Sequence, residues 1–525
     1  MIDRSGKIAA RLLTWAGLAA LVGCGGRDAE LDEGFETSEA IGLNRAIVLG
    51  DEPLHRVVLV TSESPNELST TSLPVGENRL AMQPTVDNQG LLVLSAGVHP
   101  RRNAGDELPS LSLIDASGEP SVRARYTLPD AFSAMTLDPT GRWVVLSGAG
   151  DNFVTNPNQL VLVDLTQPDY VPFTKTIRSF GAAPERFLFT EPLDVPGGPR
   201  RFLIVESRQD ITLVDLDALE RPEITVLLPR TLAGQPGSPL DVAVHPGTPE
   251  LEADAQLALR MQNDPNVVLV NFAPSDDPAA SFNVTLNLVD VGGAPAALDY
   301  VRTDGGARLA ALVPARNQAV LVQPTTTQVE AVALPAAFDR LQRVTDGSLG
   351  DGESGDVALL WSNNTSMVAF WSLGRTEGRA FRSLDVLNLE TSVGRVLDVP
   401  GATLGYRKLL ESPDQRFFVL DLRARQSFPM FATRNLSLRV APDGMRAWAF
   451  APTSPLLAKV DLTSLEPTSL EIERSIAQVF DIESQGGAGR ALIALHPGGA
   501  RGATLLDAQR PDTAETRFFP GLMLR

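Results

Sequence analysis

The chain has 525 residues, 43% of them hydrophobic, with one cysteine, four histidines and a formal charge of −19. Phosphates repel such a polyanion, which sets nucleic acid aside as a partner and leaves no electrostatic attraction to anionic lipid headgroups. A lone cysteine cannot form a disulfide within the chain, so packing alone must hold the folded part together.

The N-terminus carries an address. Arg4, Lys7 and Arg11, against Asp3, precede the apolar run LLTWAGLAALV at residues 12–22. The run is too short to span a hydrocarbon core of ~30 Å comfortably, and a basic region followed by such a run reads as a secretory signal. Its end, Leu21-Val22-Gly23-Cys24, resembles the lipobox of bacterial lipoproteins. The resemblance implies that residues 1–23 are removed and that Cys24 begins the mature chain, anchored by acyl chains. Two or more chains, at roughly 0.8 kcal/mol per buried methylene, give a durable anchor. Gly25 and Gly26, rather than aspartate, follow the cysteine, and by the same resemblance this favours the outer membrane of the cell envelope. Removing residues 1–23, which carry a net +2, leaves the mature chain at −21. Residues 24–41 include Asp28, Glu30, Asp32, Glu33, Glu36 and Glu39 with few apolar side chains, too little to offset ordering entropy, and read as a flexible tether.

Residues 42–525 form the folded domain, and a repeat runs through it. The clearest copy lies at 131–180: an apolar strand, the turn Asp138-Pro139-Thr140-Gly141, a nearly all-apolar second strand from Trp143 to Ser147, a third strand ending in Val-Asp-Leu, and a polar-alternating fourth. The turn returns as Ser412-Pro413-Asp414-Gln415 and Ala441-Pro442-Asp443-Gly444. Proline presets the first central position, aspartate bonds back to the chain and glycine accepts a positive φ. The second strand returns as RFLIVES (201–207), RFFVLDL (416–422), RAWAFAP (446–452) and RALIALH (490–496), each opened by arginine. Third-strand copies place Asp115, Asp164, Asp215, Asp461 and Asp507 at equivalent positions, where a shared duty is to accept backbone N–H groups of the next turn. Units begin near residues 79, 131, 182, 238, 293, 338, 400, 436 and 477, a spacing of roughly 50 residues that fits a four-stranded blade.

With those turns and Val-Asp strands the chain resembles the bacterial YVTN and lactonase-like β-propellers. The expected fold is an all-β propeller of four-stranded antiparallel blades, seven or eight in number. Nine units are counted if every fragment is credited. Residues 391–435 show one convincing hairpin and a poor second half, and 42–78 read as part of a blade that completes the ring with the C-terminal unit.

Candidate sites are few. The four histidines, His55, His99, His245 and His496, take a structural reading: His245 stands in a turn, and His99 and His496 precede proline at strand ends. The stretch 346–356 gathers Asp346, Asp351, Glu353 and Asp356, hard oxygen ligands of the kind calcium takes, but their spacing fails the EF-hand pattern. An acidic solvated loop is the plainer reading, and no other cofactor is expected. The sequence lacks a G-x-S-x-G elbow, an H-E-x-x-H helix and a phosphate-cradling glycine loop. The function expected from this pattern is a lipid-anchored, monomeric envelope propeller that binds or scaffolds a protein or glycan partner. The alternative is a lactonase-like hydrolase, for which the resemblance implies a histidine, a glutamate and an arginine converging at the channel.

Overall fold

The computed structural model describes residues 40–522, apart from 65–66, 149–153, 181–182, 248–253, 276–281, 345–355, 375–382, 402, 432–433, 486, 488, 499–501 and 512–515. The expected signal, most of the expected tether and three of the four acidic loop residues therefore lie outside the described residues.

Burial on two faces explains the strand patterns. In Trp143–Ser147, Trp143 and Val145 pack toward the following unit while Val144 and Leu146 pack toward the preceding one. A strand covered on both sides has no solvent face to make it alternate, so it reads as a continuous apolar run. The third strand, Gln159–Asp164, is buried in the same way, whereas the fourth, Phe173–Thr176, has one covered face and one wet one.

Ten four-stranded antiparallel sheets follow one another along the chain, with a hairpin of Leu193–Val195 and Gly198–Arg200 inserted in the fourth. Their first strands are Ile41–Gly42, Arg79–Pro84, Ala134–Leu137, Arg186–Phe189, Pro239–His245, Ala297–Thr303, Arg340–Val344, Arg395–Asp398, Ser437–Val440 and Gln478–Glu483. These open blades 1 to 10. First strands of neighbouring blades touch, as Pro239–His245 touches Ala297–Thr303 and the latter touches Arg340–Val344, so they surround a central channel. Ten apolar clusters fill the spaces between consecutive blades, and one of them joins Ile493 and Leu505 of blade 10 to Ile47 and Val60 of blade 1. The ring is therefore closed, and its seam carries backbone hydrogen bonds from Glu483 N–H to the Asn44 carbonyl and from Gln485 N–H to the Ser62 carbonyl, each 2.8 Å. Closure leaves no sheet face open to solvent between blades.

The expected seven or eight blades are corrected to ten, and two segments account for the difference. Residues 42–78, expected as part of a blade, belong to a complete one, and that blade does close the ring against the C-terminal unit. Ile41–Gly42, Ala46–Asp51, Arg56–Ser64 and Glu67–Pro74 make a complete sheet whose two-residue first strand is too short to show a period. Residues 391–435 are also a complete blade: Arg395–Asp398, Arg407–Glu411, Phe417–Asp421 and Gln426–Pro429. Its Ser412-Pro413-Asp414-Gln415 turn joins the second strand to the third, not the first to the second, so Phe417–Asp421 is a third strand rather than a second.

In every blade the first-to-second and third-to-fourth connections leave from one face of the ring, the turn face. The second-to-third connections and the links between blades occupy the opposite, crossover face. No helix among the described residues is long and apolar enough to cross a membrane.

Candidate functional site

The residues that recur most turn out to be turn formers. Asp115, Asp164, Asp215, Asp461 and Asp507 each end a third strand and accept the backbone N–H two residues on, from Ser117, Thr166, Asp217, Thr463 and Gln509, at 2.7 to 3.0 Å. Asp421 does the same with Arg423 and Ala424. Hydrogen bonds from Ser117 hold the Asp115 carboxyl below the usual carboxylate range. At the first-to-second turn, fully buried Asp138 accepts the Thr140 N–H at 3.1 Å and the Arg201 guanidinium of the next blade at 2.7 Å. Burial disfavours its anion, but the hydrogen bonds from Arg201 and Thr140 outweigh that and hold this carboxyl low too. Gly141 completes the turn at φ +75°, where a side chain would be strained.

The histidines do not converge. His245 ends the first strand of blade 5 on the turn face, with Nδ1 accepting the Gly247 N–H at 3.1 Å and its ring against Tyr300, and burial pushes its pKa down. His496 lies at the crossover end of blade 10, with both ring nitrogens engaged, by the Ser475 carbonyl and the Thr504 hydroxyl, each at 2.7 Å. His55 and His99 are exposed on crossover loops of blades 1 and 2. Among the calcium candidates, Asp346, Asp351 and Glu353 lie outside the described residues. Asp356 is buried, accepts the Arg302 N–H at 2.7 Å and faces the Arg343 guanidinium at 3.9 Å. Among the described residues no three of His, Cys, Asp and Glu gather into a group that could hold a metal.

The channel wall carries the chemistry that the repeat motifs do not. Inner strands of blades 1 and 3 are mostly apolar, Ile41–Gly42 and Ala134–Leu137, while those of blades 4 to 8 bring Arg186, Asp241, Asp299, Arg340, Arg343, Arg395 and Asp398 to the wall. Asp299 shows the cost: burial, opposed by the Arg343 guanidinium and aided by Asp356 and Asp241, pushes its carboxyl up to about 6. At the crossover end an arginine opens the inner strand in blades 2, 4, 7 and 8, as Arg79, Arg186, Arg340 and Arg395. Three of these are paired, Arg79 with Glu52, Arg186 with Glu206, and Arg395 with Glu411.

Beside Arg186 the inner strand of blade 5 bulges between Pro239 and Asp241, and the carbonyls of Pro239 and Leu240 accept hydrogen bonds from its guanidinium. A bulge re-aims side chains and opens pairing, and here it borders a cleft of ≈ 590 Å³ lined by Arg186, Arg208, Gln209, Ser238, Leu240 and Gln262. A second cleft, of ≈ 370 Å³, shares Glu185 and Arg186 with the first and runs along Leu188, Glu206 and Asp241. On the same face Phe180 and Leu232 are 61% and 74% exposed, on the links that enter blades 4 and 5. Their backbone N–H groups are fixed by Asp210 at 2.6 Å and Asp264 at 2.9 Å, so both side chains are presented by anchored loops. A cleft of ≈ 460 Å³ on the turn face, between blades 2 and 3, is a poorer candidate because Thr85 and Asp115 in its wall are spent on their own turns. The sequence pattern missed the crossover mouth, since its residues sit on short first strands and links that carry no repeat. The one available signal was arginine at the head of several first strands.

No family model and no curated protein matches the chain. Among solved structures it is similar to the dihydro-heme d1 dehydrogenase NirN in complex with DHE, at 14% identity over 79% of each chain with a TM-score of 0.42. It is also similar to apo AztD from Citrobacter koseri, at 12% identity over 74% of this chain and 96% of that one, with a TM-score of 0.32. Likeness at that level carries no argument about activity, and the assignment of this chain to the β-propeller architecture rests on its own ten sheets and the apolar clusters between them.

Proposed function

We propose that this chain is a binding propeller of the bacterial cell envelope, tethered through Cys24, that holds a protein partner on its crossover face. The observation that carries the reading is the crossover surface of blades 4 and 5. Two large apolar side chains, Phe180 and Leu232, stand exposed on anchored loops of the face that also holds a cleft bearing Arg186, Arg208 and Glu185. Exposed apolar anchors ringed by charged groups are what a protein interface buries at its centre and rim. The tether and anchor are read from the lipobox and from the acidic stretch after it.

Capture from the native envelope in mild detergent tests the reading. The full-length chain and a form lacking residues 1–40 should retain the same stoichiometric partner, and Phe180→Asp with Leu232→Asp should release it while leaving the thermal transition in place. An empty capture with both folded forms would reject the binding reading. The anchor is tested apart from it: Cys24→Ala should move the protein from the membrane to the soluble fraction and remove an acyl mass.

A further inference from the structure

Two arginines at the crossover mouth of the channel make no ion pair among the described residues. Arg260 lies on the second strand of blade 5, Gln256–Met261, opposite Asp241 in the register, yet makes no ion pair among the described residues. Its Nε is buried without a hydrogen-bond partner, and its Nη1 reaches only the Pro295 carbonyl at 3.4 Å. Arg340 opens the inner strand of blade 7, is exposed, and touches only the neighbouring Asp339 carbonyl at 3.4 Å. Between them lies the inner strand of blade 6, Ala297–Thr303, which touches the inner strands of blades 5 and 7. Burial, together with the positive charges of Arg186 and Arg340, pulls the pKa of Arg260 down, and Asp241 opposes this, so the surroundings favour the arrival of negative charge.

A protein of net charge −19 repels anions over most of its surface, so an arginine-rich rim on the channel is a local reversal of its field. Packing does not demand the reversal. Arg79, Arg186 and Arg395 at the heads of other inner strands each have a glutamate, whereas these two do not. The ≈ 370 Å³ cleft runs past Arg186 and Asp241, and Asp241, beside the bulge, is the register partner of Arg260.

We infer that the crossover mouth of the channel, at blades 5 to 7, is an anion site in which Arg260 and Arg340 bind a carboxylate or phosphate group. It rests on the reading of the ring as a binding module and gives that module a chemistry. A planar guanidinium offers paired N–H donors that match either oxyanion, and Arg186 adds positive charge at the neighbouring blade. The group can arrive on a free small anion or on an envelope partner, and the same recognition serves both.

Titration calorimetry on the form lacking residues 1–40, with inorganic phosphate, malonate and neutral glycerol as probes, decides the matter. Phosphate or malonate should bind one to one while glycerol gives no heat. Arg340→Ala and Arg260→Gln should each weaken the anion by about tenfold or more, whereas Arg101→Ala, on a crossover loop of blade 2, leaves it unchanged. Because Arg340 is exposed, its variant keeps the wild-type melting temperature and separates lost binding from lost folding. Absence of anion binding, or binding indifferent to both variants, overturns the site. Release of a captured partner by added phosphate shows that the partner carries the group, and release by neither anion, with calorimetric binding intact, shows that the site takes a free one. Capture that persists without any anion binding sinks this inference alone and leaves the binding module standing.

Discussion

Asp138 and Asp299 are carboxylates in opposite circumstances, and pH separates them. Asp138 is fully buried but receives donors from Thr140 and Arg201, so its anion is the stable form. Its lowered pKa means that it contributes stability above the ordinary carboxylate range and that this is lost as pH falls through its folded value. Asp138→Ala should cost roughly 2–3 kcal/mol at neutral pH, read as a lower denaturant midpoint, and Asp138→Asn less because it keeps an acceptor for Thr140. Asp299 has the reverse sign. With its pKa raised from 3.8 to about 6, its stabilising contribution is complete below 3.8 and is lost as pH rises through 6. Asp299→Asn should therefore stabilise the protein by ~1–3 kcal/mol at pH 7 and leave it unchanged at pH 4. Equal denaturant midpoints for variant and wild type at pH 7 would show that Arg343 already neutralises the group.

At the scale of the element, what the sequence disclosed follows from how many faces each strand buries. Second and third strands are covered on both sides, so runs such as Trp143–Ser147 and Asp210–Asp215 stand out from their surroundings. First strands, four to seven residues long in most blades, are part channel wall and part core and show neither period, so no repeat marks the arginines and aspartates they carry. Blade 8 misled because its proline-aspartate turn had moved one connection outward, while Asp421 kept the third-strand role. That role makes a prediction across blades. Asp115→Ala and Asp421→Ala each remove an acceptor for a turn N–H and should each cost about 1 kcal/mol. Blades 2 and 8 share no cluster, so the double variant should lose the sum in chemical denaturation. A coupling larger than the single effects would mean that the turns communicate around the ring.

For the whole molecule, the number of blades was the quantity least readable from the chain, because ring size depends on how neighbouring sheets pack and not on any single repeat. Closure at ten requires blade 1 to lie flat against blade 10, and Gly42 lies at that junction. A Cβ there would lie 2.6 Å from Cδ1 of Phe480, a side chain only 5% exposed and so without room to retreat. Gly42→Leu should therefore force the seam apart at a cost of roughly 1–3 kcal/mol. In an array where each unit contacts only its neighbours, the damage should stay local. Amide exchange should accelerate first at the seam bonds, Glu483 N–H and Gln485 N–H, and then along Ala46–Asp51 and Arg490–Leu495. Exchange in Gln256–Met261 and Gly306–Val313, on the far side of the ring, should match the wild type. If those strands lose protection together with the seam, the ring unfolds as one cooperative unit, and strain introduced at the junction of the first and last blades reaches the arginine-lined mouth on the opposite side.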